Sequence, residues 1–135
     1  MKIDISGKEY NIKFGYKPTL KERVISKVVK LENIADKNGN VDMERVEDLL
    51  LYLPELLLVG LQVHHKEFQY DIDTGAGKDK QLAKTFEIVE KYMESNNADM
   101  LGLFNKLQEA MQQDSFLSQM FRKEQEKAKS QETAE

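Results

Sequence analysis

Three short stretches of this chain carry residue types that do chemistry in other settings. "DTG" at Asp73, Thr74 and Gly75 has the form of the aspartic-protease tripeptide, whose reaction needs two carboxylates sharing one proton. No second copy occurs in the sequence, and the pattern after it is helical where that chemistry needs a β scaffold, so Asp and Gly in a loop explain it. "GAGKD", from Gly75 to Asp79, is similar to a phosphate loop. Its leading glycine is replaced by Ile72 and its closing Ser or Thr by Asp79, which would repel phosphate. "DKNGNVDMERVE" sets Asp36, Asn38, Asn40 and Glu47 at the first, third, fifth and twelfth positions of a calcium loop. The turn glycine that loop requires is Val41, and Gly39 comes too early, so a helix-linking turn is the reading.

His64 and His65 are adjacent, and on a helix their side chains diverge by about 100°. Neither has a ligand at metal-binding spacing, and the chain has no cysteine. They read as ordinary residues closing a helix. No Ser–His–Asp grouping assembles. The sequence therefore predicts a protein that is not an enzyme, with no cofactor and no metal site.

The totals bound what such residues would be built on. A chain of 135 residues is one domain's worth and can bury about two-thirds of its unfolded surface. The lack of cysteine predicts a reducing, cytoplasmic setting, and "MKIDISGKEY" offers no apolar run for a signal peptide. The net charge of −4 argues against free nucleic acid as the main partner. That charge is uneven. Residues 1–40 hold nine Lys/Arg against five Asp/Glu, and residues 41–135 hold eleven against nineteen. Such polarity can orient subunits head to tail.

The most apolar stretch is "LLLYLPELLLVGL", residues 49–61. It is shorter than the roughly 20 residues a membrane span needs, and Pro54 and Glu55 sit at its centre. It is predicted to be the hub of a soluble core, with a kink or break at 51–55 where Pro54 removes a donor.

The predicted fold class is α+β and mostly α-helical, an N-terminal β-hairpin packed on a bundle of about four to five helices. In "KIDISGKEYNIKFGY", Ile3, Ile5, Tyr10, Ile12, Phe14 and Tyr16 alternate onto one face around a turn at Gly7. Thr19 and Glu22 have capping-box spacing, with Leu20 first in a helix whose stripe is Leu20, Val24, Val28, Leu31 and Ala35, widened by Ile25 and Val29. Asp42 caps the hub helix, and Val41 can staple to Val46. After the polar "FQYDIDTGAGKDK", Leu82, Phe86, Val89 and Met93 mark a helix, and Asn97 is set to cap another. One domain over 1–125 is expected: a hairpin at 1–17, a helical core at 19–112, a terminal helix at 115–125 and a charged tail at 126–135.

Four of the six methionines, Met93, Met100, Met111 and Met120, lie in the C-terminal third. Methionine adapts to varied apolar partners. Phe116, Leu117, Met120 and Phe121 come just before the charged tail, where little chain remains to cover them. Met100, Phe104, Leu107, Met111, Phe116, Leu117, Met120 and Phe121 are the expected contact strip for a client or sister subunit.

"IDISGKEYNIKFGY", a helix after it, and "LPELLLVGLQVHH" together resemble the opening half of the tail assembly chaperones of long-tailed (siphovirus) phages of Gram-positive bacteria, over residues 3–70. The resemblance implies a chaperone that binds the tape measure protein, keeps it soluble and helps recruit tail tube subunits. It also implies a homo-oligomer, a frameshifted longer form, and residence in the host bacterial cytoplasm with absence from the mature virion. A small helical adaptor or regulator, binding nucleic acid through the basic first forty residues, is the competing reading.

Overall fold

A computed structural model of the chain describes residues 1–31, 42–113 and 115–119. It begins with strands β1 (Lys2–Ile5) and β2 (Lys8–Asn11), antiparallel, with Ile3 opposite Tyr10. Ser6 and Gly7 both take positive φ, 55° and 84°, so the hairpin closes on a two-residue turn whose twist matches that of the strands. The Gly7 N–H donates to Asp4 Oδ1 at 3.0 Å. Ile3, Ile5, Tyr10, Ile12 and Phe14 are buried on one face, as their alternation requires. Tyr16 departs from that pattern: it opens a helix and is 67 % exposed.

Helix α1 (Tyr16–Lys21) starts after Gly15, and α2 (Val24–Leu31) follows it. The capping box expected at Thr19 is not formed. Pro18 sits in the first turn of α1, where its missing N–H forfeits no helical bond, so the helix can start at Tyr16, four residues early. Thr19 is buried inside it. The helices part at Arg23, which holds φ at 54°. Leu20, placed before this break, is 43 % exposed, while Val24, Val28 and Leu31 are buried as their spacing predicts. Ile25 is partly buried and Val29 is 59 % exposed. Ala35, Val41 and the "DKNGN" turn lie outside the described residues.

Helix α3 (Met43–Leu61) is capped by Asp42, whose carboxylate accepts from the Glu44 N–H at 3.1 Å. Of the kink or break expected at 51–55, the break does not occur: the helix runs unbroken through Pro54. The Leu50 carbonyl, which loses its partner to Pro54, belongs to a partly exposed residue, so water can serve it. Leu49, Leu53 and every residue from Leu56 to Leu61 are buried, which makes this helix the hub. The hairpin rests on its end at Gly60. The Lys13 N–H donates to the Gly60 carbonyl at 3.0 Å, and a Cβ at Gly60 would stand 2.8 Å from Ile12 Cγ2 and 3.3 Å from Phe14 Cζ. The close approach needs a glycine.

A 3-10 turn (Lys66–Phe68) and a loop lead to α4 (Lys78–Met93), and α5 (Met100–Gln113) follows. On α4 the buried centre is Thr85 and Val89, flanked by half-buried Leu82, Ile88, Tyr92 and Met93; Phe86 falls outside the stripe and is 47 % exposed. Asp99, not Asn97, caps α5: its Oδ1 accepts from the Gly102 N–H at 2.9 Å, and its own N–H donates to the Tyr92 hydroxyl at 2.9 Å. The fold is α+β and mostly helical, and one apolar cluster joins the hairpin to α2, α3, α4 and α5. Among the described residues no helix is long and apolar enough to cross a membrane.

Candidate functional site: an exposed aromatic groove

The chain leaves β2 through Ile12 and Phe14, both fully buried, so Tyr16 emerges at the surface beside them. On the other side α5 ends at Gln113. The Ser115 hydroxyl donates to the Met111 carbonyl and accepts from the Leu117 N–H at 3.1 Å, a local turn that sends Leu117 inward and Phe116 outward. Phe116 and Tyr16 then meet edge to face, ring centres 5.1 Å apart and planes at 69°. Such pairs are favourable beyond their area alone.

Around them opens a groove of about 390 Å³ lined by Lys13, Phe14, Gly15, Tyr16, Gln113 and Phe116, among others. Phe116 remains 37 % exposed. Among the described residues the lining offers aromatic faces, one lysine and neutral hydrogen-bonding groups, and no carboxylate or imidazole. It suits an apolar side chain from another polypeptide.

The expected contact strip is divided by the fold. Phe104, Leu107, Met111 and Leu117 are buried in the chain's own core, and Met100 is half-buried against it. The reason is the hub: α3 is apolar on nearly all sides at its C-terminal end, and α5 supplies part of its cover. Phe116 is open, on the groove. Met120 and Phe121 lie outside the described residues. Tyr16 and Lys13, which complete the groove, were not in the expected strip. Tyr16 continues the alternation of the hairpin, and only Gly15 with Pro18 signals that the strand period ends before it.

A second constellation was not foreseen. Lys78, at the start of α4, donates to Glu22 and, at 3.3 Å, to Glu55 on α3; Lys27 donates to Glu55 at 3.0 Å. Burial opposes the Lys78 charge, but the Glu22 and Glu55 carboxylates outweigh it and raise its pKa. The phenols of Tyr52 and Tyr70 are pushed well above the usual range, by burial first and then by these same two carboxylates. Both stay protonated at neutral pH. The cluster locks the α1–α2 junction to α3 and α4. Sequence spacing does not reveal it, because its members come from four separate segments.

The residues with tempting motifs have structural partners. Asp71 accepts from the Asp73 and Thr74 N–H groups at 2.9 and 3.1 Å, and Asp73 pairs with Lys17 at 2.6 Å, so "DTG" shapes a turn pinned to α1. In "GAGKD", Gly75 and Gly77 take positive φ and Lys78 turns inward. His65 Nε2 accepts from the Asn11 N–H at 3.1 Å, which leaves the proton on Nδ1, 3.2 Å from Glu67. It joins the hub to the hairpin. Among the described residues no three His, Asp or Glu side chains converge as metal ligands. Comparison with known proteins finds no matching family model, no similar curated protein and no similar solved structure.

Proposed function

We propose that this protein is a non-enzymatic assembly chaperone of phage tails, which holds the tape measure protein in solution and helps bring tail tube subunits to it in the host cytoplasm. The observation that carries the reading is the groove between Tyr16 and Phe116, where two large aromatic side chains pair edge to face and stay accessible at the surface. A tape measure protein is long, helical and apolar, and a groove of this kind receives one anchor residue of an amphipathic helix. One such contact is weak. Many copies tiled on an extended client add up through their effective concentration.

The test is coexpression with the tape measure protein of the same phage. The wild-type chain is expected to keep that protein soluble, and Tyr16→Asp with Phe116→Asp to lose this effect. Both side chains are exposed enough for the double variant to melt cooperatively near the wild-type temperature. A client that precipitates at every ratio, or a double variant that protects as well as wild type, overturns the assignment.

A further inference from the structure

The aromatic groove carries charge of one sign. Ile12 and Phe14 point inward, which turns Lys13 to the outside between them. Among the described residues Lys13 is the single charged side chain in the lining. Other lysines at this end are engaged: Lys2 pairs with Glu9 at 3.5 Å, Lys8 lies over the Tyr10 ring, and Lys17 pairs with Asp73 at 2.6 Å. The Lys13 ammonium makes no ion pair and covers no ring among the described residues. It is an unmatched cation at the mouth of an aromatic groove.

The apolar surface also reaches past the two rings. Val63, just beyond the end of α3, is 42 % exposed, and a Cβ at Gly15 would stand 3.0 Å from its Cγ2. Gly15 lines the groove, and its missing side chain lets Val63 close up against it. Tyr16, Phe116 and Val63 thus share one apolar surface around Gly15, with Lys13 at its edge.

We infer that this surface selects an acidic amphipathic helix: one apolar residue seats between Tyr16 and Phe116, a second one turn along rests on Val63, and an Asp or Glu on an adjoining turn pairs with Lys13. This selection rests on the groove being the client's site and adds the residue types that the client presents there. Side chains one turn apart lie on one face of a helix and can reach neighbouring contacts together. The rings hold any apolar anchor, so they give affinity without choice. Lys13 supplies the choice: it favours a carboxylate beside the anchor and repels a lysine there. Aromatic walls next to the ammonium keep water back on two sides, which strengthens the pairing.

Fluorescence anisotropy of the full chain with labelled, helix-stabilised peptides tests it. The peptides share two leucines one turn apart and differ in one residue, Glu, Gln or Lys, placed a turn before or a turn after the pair. In one of these placements the Glu peptide is expected to bind about threefold tighter than the Gln peptide, and the Lys peptide more weakly than both. High salt should level the three. Lys13→Glu is expected to reverse the ranking, and Lys13→Met to abolish it without loss of Gln-peptide binding. Val63→Asn weakens all three about tenfold. Lys13 and Val63 are exposed, so these variants melt with wild type. Glu and Lys peptides that bind alike in both placements overturn the inference, as does a ranking that survives Lys13→Glu. A client kept soluble by a chain that binds none of the peptides overturns the inference and leaves the chaperone reading standing. Peptides ranked as expected beside a client that still precipitates uphold the selection and sink the chaperone reading.

Discussion

Replacing Lys78 by Met keeps the aliphatic stem and removes the ammonium that Glu22 and Glu55 share. About a quarter of the Lys78 side chain and 13 % of the Glu22 side chain are exposed. Breaking a fully buried pair costs about 3–5 kcal/mol, and a surface pair is worth about 0–1 kcal/mol. This pair lies between, so the loss is about 2 kcal/mol. Glu55 keeps Lys27; Glu22 loses its partner. For 135 residues at about 2.1 cal/mol/K each, the melting temperature falls by about 7 °C. A double-mutant cycle with Glu22→Gln separates this pairing from lost packing. Glu22→Gln is expected to cost over 1 kcal/mol in the wild type and almost nothing beside Lys78→Met. The pH dependence has a definite sign. Because the folded pKa of Lys78 is raised, its contribution is complete below its ordinary value of 10.5 and is lost as pH climbs through the folded value. The two proteins should therefore converge in stability at strongly alkaline pH. A coupling under about 0.3 kcal/mol, or Lys78→Met melting with wild type at neutral pH, would refute the cluster as a lock.

Three further substitutions probe single contacts. Thr19→Val removes a fully buried hydroxyl that has no hydrogen-bond partner among the described residues and is expected to stabilise the fold by about 1 kcal/mol in urea denaturation; a loss of stability would mean that the hydroxyl is bonded after all. Gly60→Ala gains about 1 kcal/mol of helix propensity but pushes a methyl against Ile12 at 2.8 Å, at a cost of about 1–3 kcal/mol. A net loss near 1 kcal/mol is expected, and a more stable variant would show that the hairpin can retreat freely. His65→Phe preserves the ring beside Tyr10 and Phe68 but takes away the acceptor for the Asn11 N–H. Hydrogen exchange at that amide is expected to quicken with about 1 kcal/mol of stability lost, and an unchanged exchange rate would remove His65 from its joining role.

Local periodicity determined most of what is helical or extended here. The alternation through Ile3, Ile5, Tyr10, Ile12 and Phe14 has period two and can bury one face only as a strand. Residues 56–61 carry no charge on any side of the helix and form the buried hub. The carboxylate of Asp42, one residue before a helical stripe, is an N-cap wherever that helix forms. Tertiary packing decided the rest. Thr19 and Glu22 match a capping box in isolation, yet burial of Thr19 and the pull of Lys78, fifty-six residues away, favour a helix that starts at Tyr16 and breaks at Arg23. Met111 and Phe116 read as parts of one strip, and they separate because α5 must cover α3 while the turn at Ser115 faces water. A helical stripe specifies that some face is buried; which residues remain for another molecule depends on how much of that stripe the chain's own hub consumes, and hub and stripe meet only in three dimensions.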